Sequence, residues 1–127
     1  MALRDILPGT LGFGTAPLGN MFRDIPDDEA RATVEAAWDD GIRYFDTAPL
    51  YGAGLAELRL GEALAERPRA DYVISTKVGR LILDEKEDVS ARDQGEKGGL
   101  FAHGRDNRVV NDYSYDATLR SIEDSLE

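Results

Sequence analysis

Asp46, Tyr51 and Lys77 are residues of the types that can form a proton-transfer centre. Asp46 follows a short apolar run at residues 42–45, Tyr51 comes five residues later in Asp-Thr-Ala-Pro-Leu-Tyr-Gly, and Lys77 ends the run 72–77. A free tyrosine has a pKa near 10 and transfers protons poorly at neutral pH. A nearby ammonium favours the phenolate and lowers that pKa, and a carboxylate can hold the ammonium in place. If the three side chains meet, Tyr51 can act as a general acid or base towards an oxygen atom.

Each of these residues also has a purely structural explanation. An aspartate at the end of a strand is often a turn or N-cap residue, a lysine there can be an ordinary rim residue, and Tyr51 could pack as a loop aromatic. Ion pairs at the rim of a sheet also form for structural reasons. The occurrence of all three at adjacent strand ends favours a functional site over coincidence.

The surrounding sequence alternates between strand and helix patterns. Strands are predicted over residues 11–14, 42–46 and 72–77, and helices over residues 27–40, over residues 54–66 and from Ser114 onward. The apolar faces of the helices consist of Ala30, Val34, Ala37 and Trp38; Leu60, Ala63 and Leu64; and Tyr115, Leu119, Ile122 and Leu126.

The order β-α-β-α-β-loop-α predicts a parallel sheet with right-handed crossovers. The carboxyl ends of neighbouring strands then lie at one edge, about 4.8 Å apart, within reach of Asp46 and Lys77. The spacing alone fits a flat doubly wound sheet and a (β/α)8 barrel equally well.

The segment from residue 81 to residue 111 differs in character from the rest of the chain. It contains a charge run at residues 84–88, four glycines and His103, the single histidine of the chain. We predict a long structureless loop after the third strand that borders the substrate entrance, and we expect His103 to be a loop residue.

Composition limits the class of protein. The 127 residues suit one domain, and 42% hydrophobic and 31% charged residues suit a soluble globular chain. The sequence contains no cysteine, so disulfides are excluded, and a net charge of −10 argues against nucleic acid as a partner. Without an apolar run of about 18 residues or the core of a signal peptide, the prediction is no membrane span and a cytoplasmic location. No metal site is predicted.

Four segments together resemble the aldo-keto reductases. Residues 41–52 read Gly-Ile-Arg-Tyr-Phe-Asp-Thr-Ala-Pro-Leu-Tyr-Gly, like the family signature. Glu57 with Leu-Gly-Glu-Ala-Leu at 60–64 resembles its next helix, Ser-Thr-Lys at 75–77 its lysine-bearing strand, and Leu-Gly-Phe-Gly-Thr at 11–15 its first strand. Residues 14–20, 77–80 and 111–116 are most similar to the branch of pyridoxal and sugar dehydrogenases.

The resemblance implies an incomplete (β/α)8 TIM barrel comprising about the first three βα units. It implies NADP or NAD as cofactor and hydride transfer between the nicotinamide and a carbonyl or alcohol carbon of a small substrate such as a sugar or pyridoxal. Tyr51 would be the general acid/base, Lys77 its partner, and Asp46 the residue that orients the lysine. Gly14, Thr15 and Asp46 would lie near the nicotinamide ribose.

The sequence departs from the family in length. A complete barrel takes about 250 residues, and the family's fourth catalytic residue, a histidine, ends a fourth strand that this sequence does not reach. We therefore expect residues 1–127 to be the N-terminal portion of a single barrel domain, truncated in its third helix and inactive alone.

Two alternatives stay open. A half-barrel could be a structural or binding module that pairs with a copy of itself to cover its open strand edges, and its oligomeric state is not predicted. A different barrel enzyme, a lyase or hydrolase, could use Asp46 and Lys77, although that leaves the spacing of Tyr51 unexplained.

Overall fold

The structure is a computed structural model that describes residues 1–83, 101 and 104–127 in full and the backbone of residues 93–94. The parallel strands are β1 (Phe13–Gly14), β2 (Tyr44–Asp46) and β3 (Val73–Ser75), and the α-helices of the described residues are α1 (Asp27–Asp39), α2 (Leu55–Leu64) and α3 (Tyr115–Leu126). None of the described helices has the length and apolar character needed to cross a membrane.

The three parallel strands lie in the order β1-β2-β3, so β2 is central. They are shorter than predicted, because the paired residues do not include 11–12, 42–43, 72 and 76–77. Two rows of paired residues cross the sheet. Phe13, Phe45 and Ile74 form one row, and Gly14, Asp46 and Ser75 form the next. Successive residues of a strand point to opposite faces, so the two rows face opposite sides of the sheet.

The apolar row packs against α1 and α2. The buried cluster on this side contains Leu18, Ala30, Val34, Trp38, Phe45, Ala56, Leu60 and Leu64. The predicted apolar face of α1 is buried in full, and in α2 Leu60 and Leu64 are buried while Ala63 is partly buried. Three acidic residues occupy the first turn of α1, where the helix dipole favours them. Gly41, with φ of 93°, turns the chain from α1 towards β2.

Arg59 is a charged residue on the buried face of α2, and the helical periodicity gave no indication of its role. Its side chain is only 9% exposed. The guanidinium donates to the carbonyl oxygens of Leu18 and Ile25 at 2.8 and 2.6 Å and pairs with the Asp27 carboxylate at 2.9 Å. Arg59 thereby ties the connection between β1 and α1 to the face of α2.

The predicted structureless loop is wrong for the described part of residues 81–111. Strands β4 (Arg80–Leu83), β5 (Asp93–Gln94) and β6 (Arg108–Asn111) form an antiparallel sheet in the order β4-β6-β5. Leu81, Leu83 and Val110 bury their side chains together with Ala117 of α3. The short apolar runs at residues 81–83 and 109–110 are typical of strands, but the glycines and charges between them obscured the pattern. His103 lies outside the described residues.

Helix α3 begins as predicted but packs through another face. The Ser114 side chain accepts a hydrogen bond from the Ala117 backbone N–H at 3.2 Å, which makes Ser114 the N-cap. Ala117 and Ser121 are the buried residues of the helix. The predicted apolar face is exposed instead, with Tyr115 and Leu126 at 78% and 81%. The small residues Ala117 and Ser121 pack against β4. No described segment covers the exposed apolar face of α3, which contains Tyr115, Leu119, Ile122 and Leu126.

Candidate active site

The site lies where β2 and β3 end. Asp46 is the last residue of β2, and in the sheet it pairs with Gly14 on one side and Ser75 on the other. All three residues therefore lie in the row that faces away from the helices, where a carboxylate can stay partly hydrated. The Asp46 side chain is 37% exposed.

The structure brings Asp46 and Lys77 into a direct ion pair. Lys77 Nζ lies 2.8 Å from Asp46 Oδ2 and also donates to the Thr47 carbonyl oxygen at 2.9 Å. Two fixed acceptors restrict an otherwise flexible side chain, which is still 48% exposed. The ammonium is therefore held in one place but open to a bound molecule.

The residue before Lys77 anchors the end of β3 from the opposite face. Thr76 Oγ1 donates to Glu57 Oε1 at 2.6 Å, and Ser125 Oγ of α3 donates to the same oxygen at 3.0 Å. Glu57 thus connects α2, α3 and the chain that carries the lysine. Glu57 was named in the sequence as part of a helix that resembles the family. Its contact with Thr76 and Ser125 was not predicted.

A second hydrogen-bonded chain reaches the other oxygen of Asp46. Ser75 Oγ donates to Asp46 Oδ1 at 2.6 Å, and the Tyr44 hydroxyl lies 2.8 Å from Ser75 Oγ. Ser75 and Tyr44 were not predicted as members of the site. The strand register would have indicated both, because Ser75 pairs with Asp46 and Tyr44 lies two residues before it on the same face.

These contacts shift the pKa of both members of the ion pair. Partial burial raises the pKa of Asp46, but the hydrogen bonds from Lys77 and Ser75 lower it by more, so the net shift is downward. Partial burial lowers the pKa of Lys77, but the Asp46 carboxylate and the nearby Tyr51 phenol raise it by more, so the net shift is upward. Both groups are therefore firmly charged at neutral pH.

Tyr51 lies on a tight turn that brings its ring to the lysine. Lys77 Nζ is 5.1 Å from the centroid of the ring, within cation–π range. The turn uses three consecutive residues with positive φ, Gly52 (72°), Ala53 (54°) and Gly54 (90°). Such a turn requires residues that tolerate left-handed backbone, which explains the two glycines. All three residues that the sequence predicted as catalytic thus lie together.

Gly14 and Thr15 lie on the other side of Asp46 and differ in what they can offer. Thr15 is fully buried, and both its backbone N–H and its hydroxyl donate to the Asp46 carbonyl oxygen, at 3.0 and 2.9 Å. Its side chain therefore positions Asp46 and has its donor occupied. Gly14 is exposed, and a Cβ added there would meet no atom within 4 Å. A bound group can approach the backbone closely at this point.

The family of this chain is identified by its similarity to known proteins. The sequence profile described as the Aldo/keto reductase family matches residues 10–127, nearly the entire chain. The chain belongs to the aldo/keto reductase family. Within this aldo-keto reductase the Asp46–Lys77 pair and Tyr51 fall in the region that the family profile covers.

Individual relatives agree with this membership. Pyridoxal 4-dehydrogenase of Microbacterium luteolum is 47% identical over 120 residues, which are 92% of this chain and 35% of that protein. D-threo-aldose 1-dehydrogenase of a Pseudomonas species is 58% identical over 77 residues, 61% of this chain and 23% of that protein. The aldo-keto reductase chain thus spans about a third of the length of the first of these relatives.

Solved structures give the architecture. The glycerol dehydrogenase of Gluconobacter oxydans superposes with a TM-score of 0.62 at 31% identity, covering 94% of this chain and 33% of that one. The holo form of an aldo-keto reductase from Bacillus halodurans gives 0.61 at 30% identity, covering 91% and 30%. The prediction of an incomplete (β/α)8 barrel is confirmed, and the ambiguity with a flat sheet is resolved in favour of the barrel.

Proposed function

We propose that this chain supplies the proton-transfer part of the active site of an NAD(P)-dependent aldo-keto reductase. Tyr51 acts as the general acid that protonates a carbonyl oxygen during reduction, and as the general base in the reverse direction. The observation that carries the proposal is the placement of the Lys77 ammonium 2.8 Å from Asp46 and 5.1 Å from the Tyr51 ring.

Each residue of the trio has one role in the proposal. The Lys77 ammonium stabilises negative charge on the phenolic oxygen as a proton leaves it. Asp46 and the Thr47 carbonyl oxygen hold that ammonium in position. Ser75 orients the carboxylate by donating to its second oxygen. A lyase or hydrolase that used only the acid and the lysine would leave the position of Tyr51 without a role.

The residues around Asp46 suit a nicotinamide cofactor. The exposed Gly14 backbone leaves room for a closely bound group, and each Asp46 oxygen has a lone pair left that can accept from a ribose hydroxyl. Thr15 supports the carboxylate-bearing strand through its two hydrogen bonds to Asp46. When bound, the cofactor supplies or accepts the hydride. We propose NADP or NAD, without preference.

The relatives support a proposal for the substrate class. The pyridoxal and sugar dehydrogenases that match this chain support a small carbonyl or alcohol substrate, such as pyridoxal or an aldose. We further propose that residues 1–127 are the N-terminal portion of one barrel domain, and that a histidine of a fourth strand and the remaining cofactor contacts come from further sequence. On this proposal the 127 residues alone are inactive.

The decisive experiment uses the entire reading frame that contains residues 1–127. NADPH or NADH consumption is measured with simple aldehydes, and NADP⁺ or NAD⁺ reduction is measured with pyridoxal and with aldoses. The variant Tyr51→Phe should lower kcat by about 10²- to 10⁴-fold, because the proton donor is lost. Tyr115→Phe is the matched control, since Tyr115 is an exposed residue of α3 and should leave kcat unchanged. Full activity of Tyr51→Phe would refute the proposed role.

A further inference from the structure

A turn that belongs to neither sheet packs on the loop at residues 51–54, which carries Tyr51 and is called the Tyr51 loop. The Gly104 backbone N–H donates to the Phe101 carbonyl oxygen at 2.9 Å, which closes the turn. The next residue, Arg105, donates its backbone N–H to the Gly52 carbonyl oxygen at 2.9 Å. Its guanidinium is also 3.4 Å from the Ala53 carbonyl oxygen. We call residues 101 and 104–105 the returning turn.

The contact between the returning turn and the Tyr51 loop is a direct backbone approach. A Cβ added to Gly104 would lie 2.4 Å from Gly52 Cα, and a Cβ added to Gly52 would lie 2.5 Å from the Gly19 oxygen. Three glycines from distant parts of the sequence therefore stack with nothing between them. Because even a methyl group does not fit, the position of the returning turn relative to Tyr51 is closely defined.

This contact places an aromatic ring on the proposed proton donor. The ring centroids of Phe101 and Tyr51 are 5.5 Å apart, and their planes differ by 31°. The rings form a tilted pair at a separation typical of interacting aromatic side chains. Both residues are only partly buried, so each ring still presents surface to solvent at the site. A molecule that binds at the Tyr51 ring can therefore also contact the Phe101 ring.

We propose that Phe101 is a specificity-determining residue that favours substrates carrying a ring over acyclic ones. This inference rests on the proposed function, since it concerns the molecule that Tyr51 protonates. Flat aromatic rings and the C–H faces of pyranoses both present apolar surface that packs on a phenyl ring. A short acyclic aldehyde or ketone has no such surface and gains little from Phe101.

The test compares specificity ratios in the protein expressed from the entire reading frame. The quantity measured is kcat/KM for a ring substrate divided by kcat/KM for an acyclic one such as methylglyoxal. Pyridoxal represents planar rings, and an aldopyranose, assayed as an alcohol with the oxidised cofactor, represents saturated rings. We expect Phe101→Ala to lower the ratio about tenfold, mainly by raising KM for the ring substrate. Phe101→Tyr keeps the ring and should keep the ratio.

Two controls separate specificity from a general defect. Phe22→Ala removes a phenyl group that is 75% exposed, and the ratio should not change. Gly104→Ala should displace the returning turn and lower the ratio, whereas Gly61→Ala adds a methyl group in open space and should not.

The outcomes are distinguishable. An active protein in which Phe101→Ala leaves both ratios unchanged, or lowers kcat/KM equally for all substrates, would refute the role of Phe101 and leave the proposed function intact. Loss of the ratio with one ring type only identifies that type as the substrate class. If Tyr51→Phe keeps full activity, the proposed function itself fails, and the inference fails with it.

Discussion

Asp46 receives one hydrogen bond on each carboxylate oxygen, and the two donors come from different neighbours. Lys77 binds one oxygen and Ser75 the other, while Thr15 holds the backbone of the same residue. The carboxylate therefore cannot rotate without losing a charge-assisted hydrogen bond. The expected result is a fixed ammonium, which is the feature that the proposed chemistry requires.

The opposite pKa shifts predict how the stability of the ion pair depends on pH. The pKa of Asp46 is lowered from 3.8, so its contribution is present above pH 3.8 and lost as the pH falls through the lower folded value. The pKa of Lys77 is raised from 10.5, so its contribution is present below pH 10.5 and lost as the pH rises through the higher folded value.

The comparison is between wild type and Lys77→Met in urea unfolding, followed by the fluorescence of Trp38. The difference in free energy of unfolding should be largest between about pH 5 and pH 9 and should shrink at both extremes. Because both side chains are more than a third exposed, we expect a difference below about 1 kcal/mol. Asp46→Asn should give the same pH profile, and a difference independent of pH would contradict the assigned shifts.

Arg59 gives a second prediction at this scale. Arg59→Ala leaves the buried carbonyl oxygens of Leu18 and Ile25 without this donor, so we expect the free energy of unfolding to fall by about 3 kcal/mol. Arg31→Ala is the matched control, since Arg31 also links α1 to α2 but is exposed and makes a single 3.4 Å contact. A loss below about 0.5 kcal/mol is expected there. An equal loss of unfolding free energy in both variants would show that the buried hydrogen bonds of Arg59 do not stabilise the protein more than the exposed contact of Arg31.

At the scale of elements, the parallel core was predictable and the remainder only in part. The periodicity of α1 and the apolar runs of β2 and β3 locate those elements because local pattern and burial agree. The antiparallel sheet escaped prediction because its strands are two to four residues long and are separated by charged and glycine-rich sequence. The contact face of α3 escaped it because small residues pack there, and periodicity detects only large apolar ones.

The proximity of Asp46 and Lys77 was predictable for a topological reason, whereas the residues that support them were not. Strand ends meet at one edge in any parallel sheet, which located Asp46 and Lys77. The position of Ser75 depends on the strand register, and that of Arg59 depends on the direction of a helix face. The position of Phe101 depends on the returning turn. Those three features are tertiary and have no local sequence signal beyond the residue type.

The stacked glycines give a prediction about elements. Gly19→Ala would place a Cβ 2.5 Å from the Tyr51 carbonyl carbon, so the β1–α1 connection and the Tyr51 loop must separate. We expect a loss of about 2 kcal/mol in the free energy of unfolding. Gly61→Ala is the control, because a methyl group there meets no atom within 4 Å and should stabilise α2 by about 0.5–1 kcal/mol. Destabilisation by both changes would argue against the backbone contact.

For the molecule as a whole, the exposed surfaces predict self-association of the 127-residue chain. The outer edges of β1 and β3 have no strand partner among the described residues, and Tyr115, Leu119, Ile122 and Leu126 expose an apolar row. Exposed edges and apolar patches favour association. Size-exclusion chromatography with light scattering at several concentrations should therefore detect species larger than 13.9 kDa.

The same measurement separates the two remaining views of the chain. Leu119→Gln with Leu126→Gln should reduce association, and Leu3→Gln with Leu11→Gln, at exposed positions outside α3, should not. A discrete, folded homodimer would favour the self-pairing module, and concentration-dependent aggregation would favour a portion of a larger barrel. A strictly monomeric wild-type chain would contradict the prediction.

Strands β4 and β6 pair along four residues each. The two ends of the segment between them, residues 84–107, are therefore hydrogen-bonded to one another next to the barrel. Within this segment, residues 101, 104 and 105 contact the turn that carries Tyr51, whereas the pairing of β4 with β6 holds the two ends of the segment together. Exchange of residues 84–92 between homologous proteins keeps those contacts and should leave the proposed proton-transfer residues in place, so it tests the predicted role of the loop in substrate preference. Residues 84–92 are therefore suited to replacement as a unit in protein engineering.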